Sequence, residues 1–168
     1  MVYTIGHSTR SIEEFTEIVQ RYEIKRIVDV RTIPRSRHNP QFNQEELKLS
    51  LHASKIGYVH IPDLGGLRHA RKDSPNMGWR NLSFRGFADY MQTKQFKEGL
   101  LRLMQLAKKG RIALMCAEAV PWRCHRSLIS DALMIRSVNV VHIMSLTQRR
   151  EHALTPWIKV EGTNITYP

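Results

Sequence analysis

The chain is poor in cysteine, in acidic residues and in long apolar runs. Only Cys116 and Cys124 are present in 168 residues, too few for a disulfide-rich secreted scaffold. Two cysteines flanking a tight loop in a cytosolic chain more often mean chemistry, a metal or nothing. No apolar run approaches the roughly 20 residues of a membrane-spanning helix, so no membrane partner is expected. The opening MVYTIGHSTR has no apolar signal-peptide core and begins directly with a strand-like segment, which makes a cytoplasmic location the expectation. There is no internal repeat, low-complexity tract or Gly/Ser-rich linker, so solenoids and strings of small domains are excluded. One domain over residues 1–168 is expected. Acidic residues number 15 against 26 Lys and Arg, a net charge of +11. Such an excess attracts polyanions, and nucleic acid or a phosphorylated small molecule is the candidate partner.

What is present alternates between strand and helix patterns. Val2–Gly6 is a short apolar run. Ser11 and Glu14 fit a capping box, and Ile12, Phe15, Ile18, Val19 and Tyr22 follow at helical spacing. Residues 25–31 (KRIVDVR) read as a buried strand rich in β-branched side chains. A helix is predicted over 44–55 and a strand over 58–62. A long basic loop spans 63–83, and loops of that length are usually functional or mobile. Residues 84–109 read as two helices broken near Thr93 and ended by Gly110. A strand over 111–117, a helix over 124–136 and a strand over 138–145 follow. Residues 146–168 form a C-terminal extension, with a short strand near 158–160. The fold class expected is therefore α/β: a three-layer, Rossmann-like sandwich around a mainly parallel sheet of about five strands.

Parallel sheets of this kind bind ligands beyond the carboxyl ends of their strands. Those ends carry His7 and Ser8, then Asp29 and Arg31, then His60 and Asp63, then Cys116 and Glu118, then Ser145. Turns are polar in any case, which accounts for part of this list. A sheet built for stability alone would not need ionisable groups at each tip.

The densest collection is LMCAEAVPWRCHRSLISDAL, residues 114–133. With a helix starting near Cys124, residues 124–126 lie on its first turn, where free N–H groups and the helix dipole favour an anion. The same field lowers a thiol pKa. Arg126 can grip a phosphate or carboxylate, His125 can move a proton near neutral pH, and Glu118 can act as a base or pair with an arginine. Against this, a cysteine near a strand end is usually a small buried hydrophobe. A zinc site is not expected, because the spacing of Cys116, Cys124 and His125 matches no standard pair and adjacent residues rarely ligate one ion. A zinc deaminase is rejected: Cys116-Ala-Glu118 lacks a downstream Pro-Cys-x-x-Cys. Residues 27–31 (IVDVR) are similar to a strand common in rhodanese domains. The arginines, however, follow Cys116 by seven and ten residues instead of five or six.

Two basic loops add anion-binding potential. One carries Arg35, Arg37 and His38, and the other Arg68, His69, Arg71, Lys72 and Arg80 around Trp79. Charged loops are often only solvated.

Several stretches together resemble the family called domain of unknown function 488. They are Thr4-Ile-Gly-His-Ser8, Val28-Asp-Val-Arg31 with Pro34-Arg-Ser36, Leu64-Gly-Gly66, the run from Phe84 to Met91, and Cys116-Ala-Glu118 with Cys124-His-Arg126. The similarity runs in order over nearly the whole chain. It implies a single α/β domain and the same pocket, and it supplies no substrate, reaction or cofactor.

Three functions are expected from these features. The first is an enzyme acting on a nucleotide, nucleic acid or other phosphorylated substrate. Cys116, Glu118, Cys124, His125 and Asp29 are its catalytic candidates, and His7, Ser8, Arg31, Arg35, Arg37 and Arg126 bind the anion. The second is a non-catalytic nucleic-acid-binding protein. The third is a rhodanese-like sulfur-transfer or thiol-redox protein.

Overall fold

A computed structural model describes residues 1–168. The strands Val2–Gly6, Ile112–Cys116 and Val140–Ile143 are buried along their whole length, as central strands covered on both faces are. With the amphipathic helices between the parallel strands, the chain has eight strands and five helices. In chain order these are β1 (Val2–Gly6), α1 (Ile12–Arg21), β2 (Arg26–Asp29), α2 (Gln44–Ala53), β3 (Gly57–His60), α3 (Leu82–Tyr90), α4 (Lys94–Lys109), β4 (Ile112–Cys116), α5 (Arg126–Met134), β5 (Val140–Ile143), β6 (Arg149–Glu151), β7 (Lys159–Glu161) and β8 (Asn164–Thr166). The caps are those the side chains dictate. Ser11 accepts from the Glu14 N–H ahead of α1, Asn81 caps α3, and Thr93 accepts from Phe96 N–H at the break that separates α3 from α4.

The sheet runs β3-β2-β4-β1-β5-β6, with the first five strands parallel and β6 antiparallel to β5. The steps β1→β2→β3 move one way across it, and β3→β4→β5 move back. Right-handed crossovers therefore place α1 and α2 on one face and α3, α4 and α5 on the other. Each face has its own core. Phe15, Ile18, Leu47 and Leu51 pack on Tyr3, Ile5, Ile27 and Met115. Phe87, Phe96, Leu100, Leu128 and Leu133 pack on Val28, Ile112, Leu114 and Cys116. The result is the three-layer α/β sandwich expected from the sequence.

This order also positions a crevice. β4 lies between β2 and β1, and both neighbours send their chains to the opposite face from β4. Such a reversal opens a gap beyond the strand tips, and here it opens at the end of β4, at Cys116.

In four details the structure extends or shifts what the sequence implies. The sheet has a sixth strand, β6, whose Arg149-Arg150-Glu151 carries no apolar signal because all three residues are exposed on an edge. The strand expected near 158–160 is half of a hairpin, β7 paired with β8. The turn between them carries Gly162 at a φ of 65°, a left-handed conformation that suits glycine. The last helix begins at Arg126, two residues later than expected, because Cys124 is extended (φ −137°, ψ 150°). It ends at Met134, two residues early. No helix is long and apolar enough to cross a membrane.

Candidate active site

A cavity of about 600 Å³ opens at the tip of β4. Its walls come from the segment after β2 (Arg31, Ile33, Arg35), the loop after β3 (Gly66, Arg68, His69), the start of α3 (Phe84, Phe87) and the crossing from β4 to α5 (Cys116, Glu118, Arg123, Cys124, His125). Four arginines line it against a single glutamate, so an anion is the ligand its field favours. Arg35 and Arg123 are exposed and make no ion pair within the protein.

The crossing is folded around its two thiols. Cys116 closes β4 and points to the α5 face, as its even register with Ile112 and Leu114 requires. Pro121–Arg123 make one 3-10 turn, after which Cys124 brings its Sγ to 2.8 Å from that of Cys116. Both thiols are free and nearly fully buried, and both cysteines line the cavity. The Cys124 sulfur accepts the Arg126 N–H at 3.5 Å and so occupies a free donor of the first turn of α5.

His125 bridges this pair to the residue that follows β2. Its Nε2 lies 2.9 Å from the Val30 carbonyl. A carbonyl only accepts, so Nε2 holds the hydrogen, and in the neutral ring Nδ1 presents its lone pair. That Nδ1 is 3.5 Å from the Cys124 sulfur. Phe87 packs edge-on against the ring. Gly66 lies close beside it: a Cβ there would stand 3.1 Å from Nδ1, a tight contact.

Arg126 lies under the thiols with no exposed surface. It donates to the Thr4 hydroxyl at 3.0 Å and the Glu118 carbonyl at 2.6 Å, and its Nε has no partner. Gly6 permits this approach, since a Cβ there would collide with the Glu118 carbonyl. No carboxylate pairs with Arg126. The acidic groups that act on it are Cys116 and Cys124, and they hold its pKa above the ordinary value against the effect of burial. The thiols respond in opposite directions. Burial and its hydrogen bond to Cys124 push Cys116 well up. Burial alone would raise Cys124 as well. The hydrogen bond from Cys116, the charge and hydrogen bond of His125, and Arg126 together outweigh it and hold Cys124 well below the ordinary thiol range. Of the two, Cys124 is thus the thiol whose surroundings favour ionisation, and the Cys116 sulfur lies within hydrogen-bond reach of it.

The other sequence candidates divide. Arg35 and Glu118 reach the cavity, and the exposed Glu118 carboxylate accepts the Val120 N–H at 3.2 Å. Asp29 does not line it. This carboxylate is fully buried and accepts from Arg31 Nε (2.9 Å), Arg31 Nη2 (2.8 Å), the Arg31 N–H (3.1 Å) and the Tyr58 hydroxyl (2.6 Å). Arg31 reaches the cavity edge from within that pair and also donates to the Phe42 carbonyl. His7 is buried on the opposite face, stacked on Phe42 at 4.3 Å, and burial lowers its pKa to about 4. Ser8 and Arg37 do not line the cavity.

Behind Arg126 runs a chain of polar side chains that the sequence reading missed. Arg126 donates to Thr4 Oγ1, which is 2.6 Å from His142 Nδ1. His142 Nε2 is 2.9 Å from His152 Nδ1, and His152 Nε2 is 2.8 Å from the Asp131 carboxylate. If both rings are neutral, the carboxylate accepting at one end orders every hydrogen from Arg126 toward Asp131. Asp131 also takes hydrogen bonds from the Thr155 and Tyr167 hydroxyls. Desolvation and the neighbouring His152 and Arg126 lower His142 to about 3, so it is neutral. A faint signal exists: Thr4 and His142 are single polar residues inside otherwise apolar strands, and they are register partners.

The family model described as "Domain of unknown function DUF488" matches residues 11–133 of the 168. The chain belongs to this family. No curated protein and no solved structure matches it. The DUF488 match includes the Asp29–Arg31 pair, both thiols, His125, Arg126 and Asp131. Thr4, His142, His152 and Tyr167 lie outside it.

Proposed function

We propose that this DUF488 chain is a thiol-dependent enzyme acting on a small anionic substrate. Cys124 is the nucleophile and Cys116 donates a hydrogen bond to its thiolate. His125 Nδ1 takes the thiol proton and returns it to the leaving group, while Arg35 and Arg123 bind the substrate's anion. One observation carries the reading: Arg126 is a fully buried guanidinium whose neighbouring acids are thiols. A buried cation without an anion costs several kcal/mol. Ionising a thiol beside it removes that cost and generates a nucleophile in the same step. A cavity of this size suits a small molecule.

The test is the pH dependence of alkylation. Cys124 should react with iodoacetamide at pH values where an ordinary thiol of pKa about 8.5 has almost ceased to react. It should also prefer the anionic iodoacetate more strongly than free cysteine does. Labelling that appears only above the ordinary thiol pKa would remove Cys124 as nucleophile.

A second reading, non-catalytic binding of nucleic acid, is favoured by the net charge of +11 and the exposed Arg37, Arg71, Lys72 and Arg80 on the two basic loops. It requires retention on DNA or RNA that falls steeply with salt. Flat salt dependence eliminates it.

A further inference from the structure

From the juxtaposed sulfurs of two cavity-lining cysteines and the cavity's arginines, we infer that Cys116 and Cys124 are a working dithiol whose substrate is a small disulfide bearing carboxylates. This rests on Cys124 being the nucleophile, and it adds the bond attacked and a role for the second thiol. A thiolate that attacks carbon or phosphorus does not need a second thiol to complete its reaction, whatever hydrogen bond that thiol gives it. A thiolate that attacks sulfur does, because the mixed disulfide it forms must be resolved. The two Sγ atoms, 2.8 Å apart, need to close by less than 1 Å to reach the roughly 2.05 Å of a disulfide. The segment between them is partly exposed at Ala117, Glu118, Trp122 and Arg123, so the closure moves a surface loop.

The chemistry balances within one encounter. The Cys124 thiolate attacks one sulfur of RS–SR′. A Cys124–SR bond forms, the S–S bond breaks, and R′S⁻ leaves with the electron pair and takes the proton held on His125. Cys116 then attacks the Cys124 sulfur as RS⁻ leaves, and its proton passes to RS⁻. The protein dithiol is oxidised by two electrons to the Cys116–Cys124 disulfide, and the substrate is reduced to two thiols. A dithiol reductant returns the protein to its starting state. The raised pKa of Cys116 suits the later role, since it keeps its proton until Cys124 is consumed.

The experiment uses the full chain, reduced and freed of reductant, with oxidised glutathione as the carboxylate-bearing probe. Intact mass and free thiol are followed at neutral pH. Wild type should lose two hydrogens, retain no adduct and release two glutathione thiols. Cys116→Ser should stop as a glutathione mixed disulfide on Cys124, and Cys116→Ala provides the same readout should the serine variant fold poorly. Cys124→Ser should not react. Relative to free cysteine, oxidised glutathione should outpace neutral hydroxyethyl disulfide by roughly tenfold or more.

A lasting mixed disulfide on wild type would overturn the resolving role of Cys116 and leave Cys124 a nucleophile. No reaction with the disulfide, alongside rapid alkylation of Cys124 at neutral pH, would overturn the substrate class alone. Slow alkylation together with no disulfide reaction would bring down both this inference and the reading beneath it. Equal rates with the neutral probe would remove the carboxylate requirement.

Discussion

The tips of β2 and β4 each hold a buried guanidinium beside buried acids, yet they are built for different ends. At β2, Arg31 and Asp29 form a bidentate pair, closed further by Tyr58 and the Phe42 carbonyl. Each group satisfies the other. Burial plus the Asp29 charge raise the Tyr58 hydroxyl far above its ordinary pKa, so that proton stays in place. At β4, Arg126 faces thiols. A thiol is an acid only on condition, and the cation sets the condition. The first arrangement holds two segments together. The second converts a burial penalty into reactivity.

The sharpest way to break this comparison is to remove the carboxylate from the β2 pair. Asp29→Asn strands a buried Arg31 and should destabilise the fold by about 3–5 kcal/mol, read as a drop in the urea midpoint. A smaller loss would mean that Arg31 finds water or another acceptor.

Acid should act next, and on both sides. His7 borders Arg31, and His142 sits behind Arg126. Both are held neutral in the fold, at about 4 and about 3 against 6.5. Between pH 6.5 and 4 the unfolded chain binds a proton at each position that the native state refuses. Stability is therefore fully present above 6.5 and is lost as pH falls, by about 3 kcal/mol for His7 alone at 1.36 kcal/mol per unit. His7→Gln should flatten the urea-midpoint profile in that window. An unchanged profile would show that His7 is solvated.

Arg126→Met tests the β4 side directly. Losing the cation should raise the Cys124 pKa by at least a unit and slow its alkylation at pH 7 by about tenfold. Arg31→Met should instead register in stability. If Arg126→Met leaves alkylation unchanged, the two tips do not differ as described.

The mildest probe is Gly66→Ala, which crowds His125 Nδ1. A few-fold slower alkylation with little change in the urea midpoint is expected, since the neighbour needs to give by only a few tenths of an ångström. No change in rate would argue that Nδ1 contributes little to the thiolate.

Much of this was legible in the sequence because it is local. β-branched runs, caps and glycine stops defined the alternation, and the alternation implied a parallel sheet with its chemistry at the tips. Cys116, Glu118, Cys124 and His125 meet because one crossing carries them all. What was not legible depends on distance or on edges. β6 is a charged edge strand with no apolar period. Asp29 and Arg31 stand two apart, a spacing that places both on one side of an extended chain, and whether they face a ligand or each other is decided by Tyr58 and Phe42. The Thr4–His142 contact spans 138 positions, and only the strand order makes them neighbours.

That last contact extends the reach of the site. Through Thr4, His142 and His152, the guanidinium beneath the cysteines is oriented from a carboxylate on α5 whose other ties, Thr155 and Tyr167, belong to the tail. Shortening the protein ahead of His152 would spare the five parallel strands while leaving that row of hydrogens without its terminus. The acidity of one cysteine would then drift with the presence or loss of residues 152–167, which makes the tail a tuning element for chemistry it never touches.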